Sequence, residues 1–238
     1  MPTTSGLATE RRHARLAGAA YLVIIVLGLL GEVGVRAGMI AWDDPMATAR
    51  RIADDHLLFR VTIATDLVML MADALVGVIL WTLLRRFNQG VATLALVLRL
   101  LHTAVYGAGL FGLLEVVHLV GGGAAPAGLT AIELPGLVML ALQRQVFGYL
   151  VGLVFFGLHC GVLGWLIVRS RRFPAWLGWL LIVAAAGYLV DCFAQFLVPD
   201  YRAMQDVFQA IVLFPALVAE LSMGLYLLIK GVRREAAD

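Results

Sequence analysis

The sequence predicts an all-α fold: a polytopic bundle of six transmembrane helices with the N-terminus and the C-terminus both cytoplasmic. Three observations carry that prediction. Of 238 residues, 62% are hydrophobic and only 14% charged, against about 25% charged in an ordinary soluble domain. A soluble fold cannot hide that much apolar surface from water, whereas a bilayer removes the difficulty. Six apolar runs, residues 16–35, 61–84, 91–120, 146–168, 176–196 and 207–229, reach the ~20 residues that a helix needs to cross a hydrocarbon core. Finally, Lys and Arg concentrate in alternate connections.

The first run follows Arg11, Arg12 and Arg15. It is longer than the apolar stretch of a signal peptide and no small-residue cleavage pattern closes it, so it reads as a retained anchor helix. Asp44-Pro45 is an N-cap followed by proline at the first helical position. It predicts a short extracytoplasmic amphipathic helix from residue 45 towards 58 that feeds the second span. Asn88-Gln89-Gly90 separates the second and third runs, and Gly121-Gly122-Gly123 with Pro126 ends the third. The stretch 129–145 reads either as an ordinary connection, the more usual case, or as an interfacial or re-entrant piece broken at Pro135. Residues 170–174 and Pro199-Asp200 supply the last two turns, and Pro215 is placed to kink the sixth span. The whole chain, 1–238, reads as a single transmembrane domain.

Orientation follows from the basic residues. With the N-terminus inside, the inner segments carry Arg85, Arg86, Arg169, Arg171, Arg172, Lys230, Arg233 and Arg234 in addition to the first three arginines. The outer segments carry Arg36, Arg50, Arg51, Arg60, Arg144 and Arg202. The bias places the protein as a multi-pass component of the cytoplasmic membrane. Trp81 to Phe87 (WTLLRRF) and Trp165 to Phe173 (WLIVRSRRF) echo each other, which the general need for arginine and an aromatic at an inner loop accounts for.

Ionisable groups inside spans cost a few kcal/mol or more and by default mark function. From the inner ends, at ~1.5 Å per residue, Asp73 lies about 16 Å deep, Arg99 about 12 Å, His102 about 16 Å, His159 about 14 Å and Glu220 about 15 Å. These residues of the second, third, fourth and sixth spans predict one polar pocket at mid-membrane. Tyr106 joins them because Arg99, His102 and Tyr106 share a helix face; Gln209 is in phase with Glu220. A second polar layer, Glu32, Asp66, Glu115, His118 and Asp191, lies nearer the outer face, where side chains can reach water. On the fourth span Gly148, Gly152 and His159 form one stripe and Gly157, Gly161 and Gly164 another. Such stripes permit close helix approach and offer a surface for homo-oligomers.

The chemistry of these residues leaves several readings. The leading one is a non-catalytic or transport-like protein whose pocket binds a small polar or amphipathic ligand. Arg99 and Asp73 also form a natural buried ion pair that would fix helix register. An intramembrane metal- or haem-dependent enzyme would use His102 and His159 as ligands, but the arginine beside them repels a metal, and no metal site is assigned. Glu115-x-x-His118 is half of a di-iron signature that needs two copies. The third reading is an accessory or scaffold subunit. No nucleophile elbow, phosphate loop or disulfide framework is present. Cys160 and Cys192 sit in apolar runs as small hydrophobes. No catalytic set or cofactor is named by the residues, which leans away from an enzyme, and a net charge of +2 without a basic stripe excludes a nucleic-acid partner. The bilayer itself is the expected partner.

Arg15-Leu16-Ala17-Gly18 with Tyr21-Leu22, Leu58-Phe59-Arg60 with Asp66-Leu67-Val68, and above all the block FFGLHC, LGWLIVRS, Pro174, LGWLL and GYLVD between Phe155 and Asp191 are a recognisable set. Over residues 11–230 the chain resembles the bacterial membrane family catalogued as domain of unknown function number 4386. The resemblance implies a multi-span membrane protein and carries no catalytic role. Its most specific block contains His159 and Asp191, which favours them over Glu115 and His118.

Overall fold

The computed structural model describes residues 4–121 and 132–232, and all regular structure among them is helical. We number the helices α1 (Thr4–Leu29), α2 (Pro45–Asp54), α3 (His56–Leu84), α4 (Gln89–Val120), α5 (Leu134–Ser170), α6 (Ala175–Leu197) and α7 (Tyr201–Ile229). Five helical stretches are long and apolar enough to cross a membrane: Ala8–Met39, His56–Leu84, Gln89–Val120, Leu134–Ser170 and Ala175–Leu197. In α7 the apolar part found among the described residues is Phe214–Ile229, shorter than the other five. Leu67, Met71, Phe111, Phe147, Val183 and Phe214 are exposed on these helices, an apolar exterior compatible with contact to a lipid bilayer.

The helix ends follow the local chemistry. Asp44 caps α2 as its spacing predicts, its carboxylate accepting from the Ala47 amide at 2.9 Å, with Pro45 at the first position. The Thr48 hydroxyl exchanges two 2.9 Å hydrogen bonds with the backbone of Ala41 and ties the preceding loop to α2. At the start of α4, Asn88 Oδ1 accepts from the Val91 amide at 3.1 Å.

Two expectations are corrected. The stretch 129–145 is not a separate piece broken at Pro135. From Leu134 it is the opening of α5, which runs unbroken to Ser170; residues 129–131 lie outside the described ones. Proline in a first helical turn removes no intrahelical bond, because the amides there have no partner to lose. The first span also does not end at residue 35. Below Leu29 the helix widens into a seven-residue π-helical segment, Leu30–Arg36, and closes with the turn Ala37–Met39. Arg36, expected in an outer connection, is therefore carried on the helix and is buried.

Contacts divide the chain into two compact units, one of Met1–Val23, Ala72–Thr103 and Val151–Asp238, the other of Ile24–Met71 and Ala104–Leu150. The second unit is built on an apolar core that includes Phe59, Ile63, Leu70, Leu113 and Leu142. In the first unit the glycines do what their spacing predicts. A Cβ at Gly164 would stand 2.6 Å from the Gly178 carbonyl and one at Gly178 2.5 Å from the Gly164 carbonyl, so α5 and α6 touch backbone to backbone. Gly157 and Gly161 face Tyr188 and Ala185 of α6 in the same way. In the second unit Gly148 lies against Gly109 of α4. The second glycine stripe of α5 thus lies against α6, and Gly148 of the first lies against α4.

Candidate functional site

Four helices of the first unit bring their polar side chains to Arg99. The guanidinium is 1% exposed and donates four hydrogen bonds. Nη2 reaches Asp73 Oδ1 at 2.6 Å and Nε the Asp73 backbone carbonyl at 3.1 Å. Nη1 is shared between the Tyr21 hydroxyl at 3.0 Å and His159 Nε2 at 3.1 Å. The second carboxylate oxygen of Asp73 accepts from Thr103 Oγ1 at 2.7 Å. Aromatic faces complete the enclosure, with the guanidinium carbon 5.1 Å from the Tyr21 ring centre and 5.5 Å from that of Phe156.

Gly77 makes the crossing sterically feasible. It lies one turn beyond Asp73 on α3, and a Cβ there would be 3.2 Å from Arg99 Cδ and from Leu96 Cδ1. A methyl there would press on the Arg99 side chain along its path to the carboxylate and the backbone carbonyl of Asp73.

The hydrogen bonds fix the state of His159. Guanidinium only donates, so Nε2 must be the accepting nitrogen. Nδ1 then carries the proton and donates to the Ala95 carbonyl at 2.7 Å. His159 is the neutral Nδ1–H tautomer, and both nitrogens are engaged. A metal or haem iron would have to displace Arg99 to reach Nε2. Among the described residues no three His, Cys, Asp or Glu side chains converge on a metal position. Phe156 lies against both imidazoles, 4.9 Å from His102 and 5.8 Å from His159 between ring centres. These donors do not fit the metal or haem enzyme.

Of the residues expected to line a pocket, Asp73, Arg99, His102 and His159 come together. Glu220 adjoins them by accepting from the Tyr188 hydroxyl at 2.8 Å, Tyr188 being edge-on to Phe156. Tyr106 belongs to the second unit, where its ring meets Tyr149. The side chain of Gln209 lies outside the described residues. Asp73, Arg99 and His159 are joined by hydrogen bonds, and His159 also borders a narrow cleft.

The outer layer does not behave as one group. Asp66, expected to reach water, is 1% exposed and holds the buried Arg36 through both oxygens, at 2.6 and 3.2 Å. Glu32, on the π-helical segment, accepts from Arg36 Nε at 2.9 Å but is 67% exposed. Asp191 is buried too, taking hydrogen bonds from Tyr201 at 2.5 Å and Gln195 at 2.9 Å. Glu115 pairs with Arg144 at 2.5 Å, and His118 is exposed. Apart from exposed His118, each of them finds a partner within 30 residues along the chain.

Sequence reasoning missed Tyr21, Gly77, Thr103, Phe156 and Arg36. Two had a signal: Gly77 and Thr103 each stand four residues after a buried charge, Asp73 and Arg99, and so share its face.

The family described as domain of unknown function (DUF4386) matches residues 16–231. An Archaeoglobus fulgidus protein named "Uncharacterized protein" is 25% identical over 128 residues, 54% of this chain and 63% of that relative. The chain therefore spans less than two thirds of the length of the curated relative it matches. No solved structure matches.

Proposed function

Because the chain belongs to the family of domain of unknown function (DUF4386), a family that assigns no activity, we propose its function from the geometry of the Arg99 centre. The chain is a single six-span domain of the cytoplasmic membrane, both ends cytoplasmic, with α2 outside. Its central polar groups bind a small polar or amphipathic ligand in a transport-like role, and the arrangement described above is the closed state. Inner-side placement of α3 and α5 ends is supported by Arg85 over Trp81 at 4.6 Å and Arg169 over Trp165 at 5.9 Å, the interfacial pairing of arginine and aromatic.

One observation carries the reading: a fully enclosed guanidinium bonded at once to a carboxylate, a phenol and a neutral imidazole. As a helix fastener it is a poor choice, since well-packed apolar residues of similar volume serve as well or better. A charge kept at that depth is the default mark of a ligand or ion path. A ligand anion displacing Asp73 from Arg99 would keep the guanidinium paired, and the released Asp73 carboxylate would take up a proton, which couples binding to a proton.

The test separates this from a structural role. In the double variant Asp73→Leu/Arg99→Met the charges go and the volume stays. We expect it to fold, by helix content and a monodisperse elution profile. We also expect it to lose a small molecule that wild type retains through purification, as detected by mass spectrometry of the extracted protein. His159→Gln should lower the same occupancy. An identical set of small molecules in wild type and the folded double variant would overturn the proposal.

A further inference from the structure

Asp66 and Asp73 each face an arginine. Glu220 does not. Its Oε1 accepts from the Tyr188 hydroxyl at 2.8 Å, and among the described residues no basic side chain forms an ion pair with it. The titratable groups within electrostatic reach are Tyr188 from α6, Tyr21 from α1, Asp73 from α3, Arg99 from α4 and Cys160 from α5. Arg99 is the cation of that set, and the Asp73 carboxylate already matches it at 2.6 Å. The surroundings of Glu220 therefore offer no spare positive charge to hold an anion.

Packing fixes the carboxyl at that place. A Cβ at Gly224, one turn after Glu220, would stand 3.0 Å from Tyr21 Cβ of α1, and one at Gly187 of α6 would stand 3.1 Å from the Ile211 carbonyl oxygen, which precedes Glu220 on α7. Ala219 and Met223 are buried while Leu217 and Leu221 are exposed, and Glu220 is half-buried at the border between these faces. Counted from Lys230 at ~1.5 Å per residue, it lies about 15 Å into the span, where that border meets hydrocarbon. An ionised carboxylate there without a counter-charge costs several kcal/mol, and the neutral acid costs far less. We propose that Glu220 is a proton-binding site, a carboxyl that rests as the neutral acid against Tyr188 and exchanges its proton with solvent. The site rests on α7 crossing the membrane as proposed above and not on a ligand at Arg99.

A hydrophobic carbodiimide tests the site, because it reacts with a carboxylic acid in apolar surroundings. The acid proton moves to one carbodiimide nitrogen and the carboxyl oxygen bonds the carbodiimide carbon. Migration of the acyl group to nitrogen then leaves a stable N-acylurea, with no leaving group and no change of oxidation state. Dicyclohexylcarbodiimide added to the full chain in lipid vesicles at neutral pH should modify Glu220, as located by peptide mass mapping. It should spare Asp66 and Asp73, which their arginines hold as carboxylates. A water-soluble carbodiimide should leave Glu220 unmodified. Infrared spectra of wild type should contain the carbonyl stretch of a protonated carboxyl that shifts in deuterated water and is missing from Glu220→Gln. Should that variant fail to fold, mass mapping of wild type still decides. An unmodified Glu220, equal modification by the water-soluble reagent, or a protonated-carboxyl band that is absent or does not shift would each overturn the proposal. Asp73→Leu/Arg99→Met should keep a reactive Glu220 whether or not it loses its small molecules, so the two proposals fail separately. Failure of the span itself would show instead as reaction of Asp200→Cys and Lys230→Cys from the same side of the membrane.

Discussion

Arg99 Nη1 lies 3.1 Å from His159 Nε2, and this contact determines where the imidazole proton is. A donor facing a nitrogen forces that nitrogen to accept, and the Ala95 carbonyl on the other side takes the remaining proton. Nitrogen-15 NMR of histidine-labelled protein at neutral pH should show one imidazole with protonated Nδ1 and bare Nε2. That signal should vanish in His159→Gln. Finding His159 doubly protonated, or protonated on Nε2, would mean that Arg99 does not face it.

The ion pair should show strong coupling. Arg99→Met alone leaves the Asp73 carboxylate buried with the Thr103 hydroxyl as its remaining side-chain donor, and Asp73→Leu alone leaves the guanidinium without its counter-charge. Each single change should destabilise by about 3–5 kcal/mol, while the double change should recover most of that loss. Unfolding of the detergent-solubilised variants measures the cycle, and additive single effects would count against a shared buried pair.

The contrast with Arg36 is instructive about what a sequence discloses. The five long apolar helices and the convergence of Asp73, Arg99, His102 and His159 were legible, because hydrophobic length and helical phase are local properties. Which acceptor each donor finds was not. Asp66 and Arg36 are 30 residues apart, and Arg36 reads as a loop residue because apolar periodicity gives no sign of a π-helical continuation. Pro135 misled for a related reason: proline marks a break inside a helix and a start in its first turn, and composition alone does not say which. Phe156, an apolar residue in an apolar run, gave no sign that its ring would lie against His102, His159 and the Arg99 guanidinium.

At the Arg36 site the two carboxylates should differ in weight. Asp66 is enclosed and bidentate, Glu32 largely exposed. Asp66→Asn should cost about 3–5 kcal/mol by stranding a buried guanidinium, and Glu32→Gln less than about 1 kcal/mol. The same unfolding measurement ranks them; equal effects would mean that Arg36 is not held by Asp66.

Glycine substitutions should sort by what the new methyl meets. At Gly161 the nearest foreign atom is a side-chain carbon at 3.6 Å, so alanine fits and gains helix propensity. Gly77→Ala meets side-chain atoms of Arg99 and Leu96 that can shift only by disturbing the centre, and should cost about 1–3 kcal/mol. Gly164→Ala meets the Gly178 carbonyl, which cannot yield unless α5 and α6 separate, and should be the most damaging of the three. Thermal midpoints that rank Gly161→Ala below Gly164→Ala would contradict the helix crossing.

Topology is testable independently of any ligand. Both native cysteines are buried, so in a background with Cys160→Ala and Cys192→Ala each new thiol reports alone. Asp43, Asn88, Asp200 and Lys230 stand at or beside helix ends, and Asp43, Asp200 and Lys230 are exposed. With six spans and both ends inside, a membrane-impermeant maleimide added to intact cells should label Asp43→Cys and Asp200→Cys, and should label Asn88→Cys and Lys230→Cys only after the membrane is opened. The last pair of sites decides whether α7 crosses. It is the helix whose apolar part is shortest among the described residues, and Lys230 stands just beyond its end. If Asp200→Cys and Lys230→Cys react from the same side, α7 does not span, the chain crosses five times, and its C-terminal end lies opposite to the side proposed.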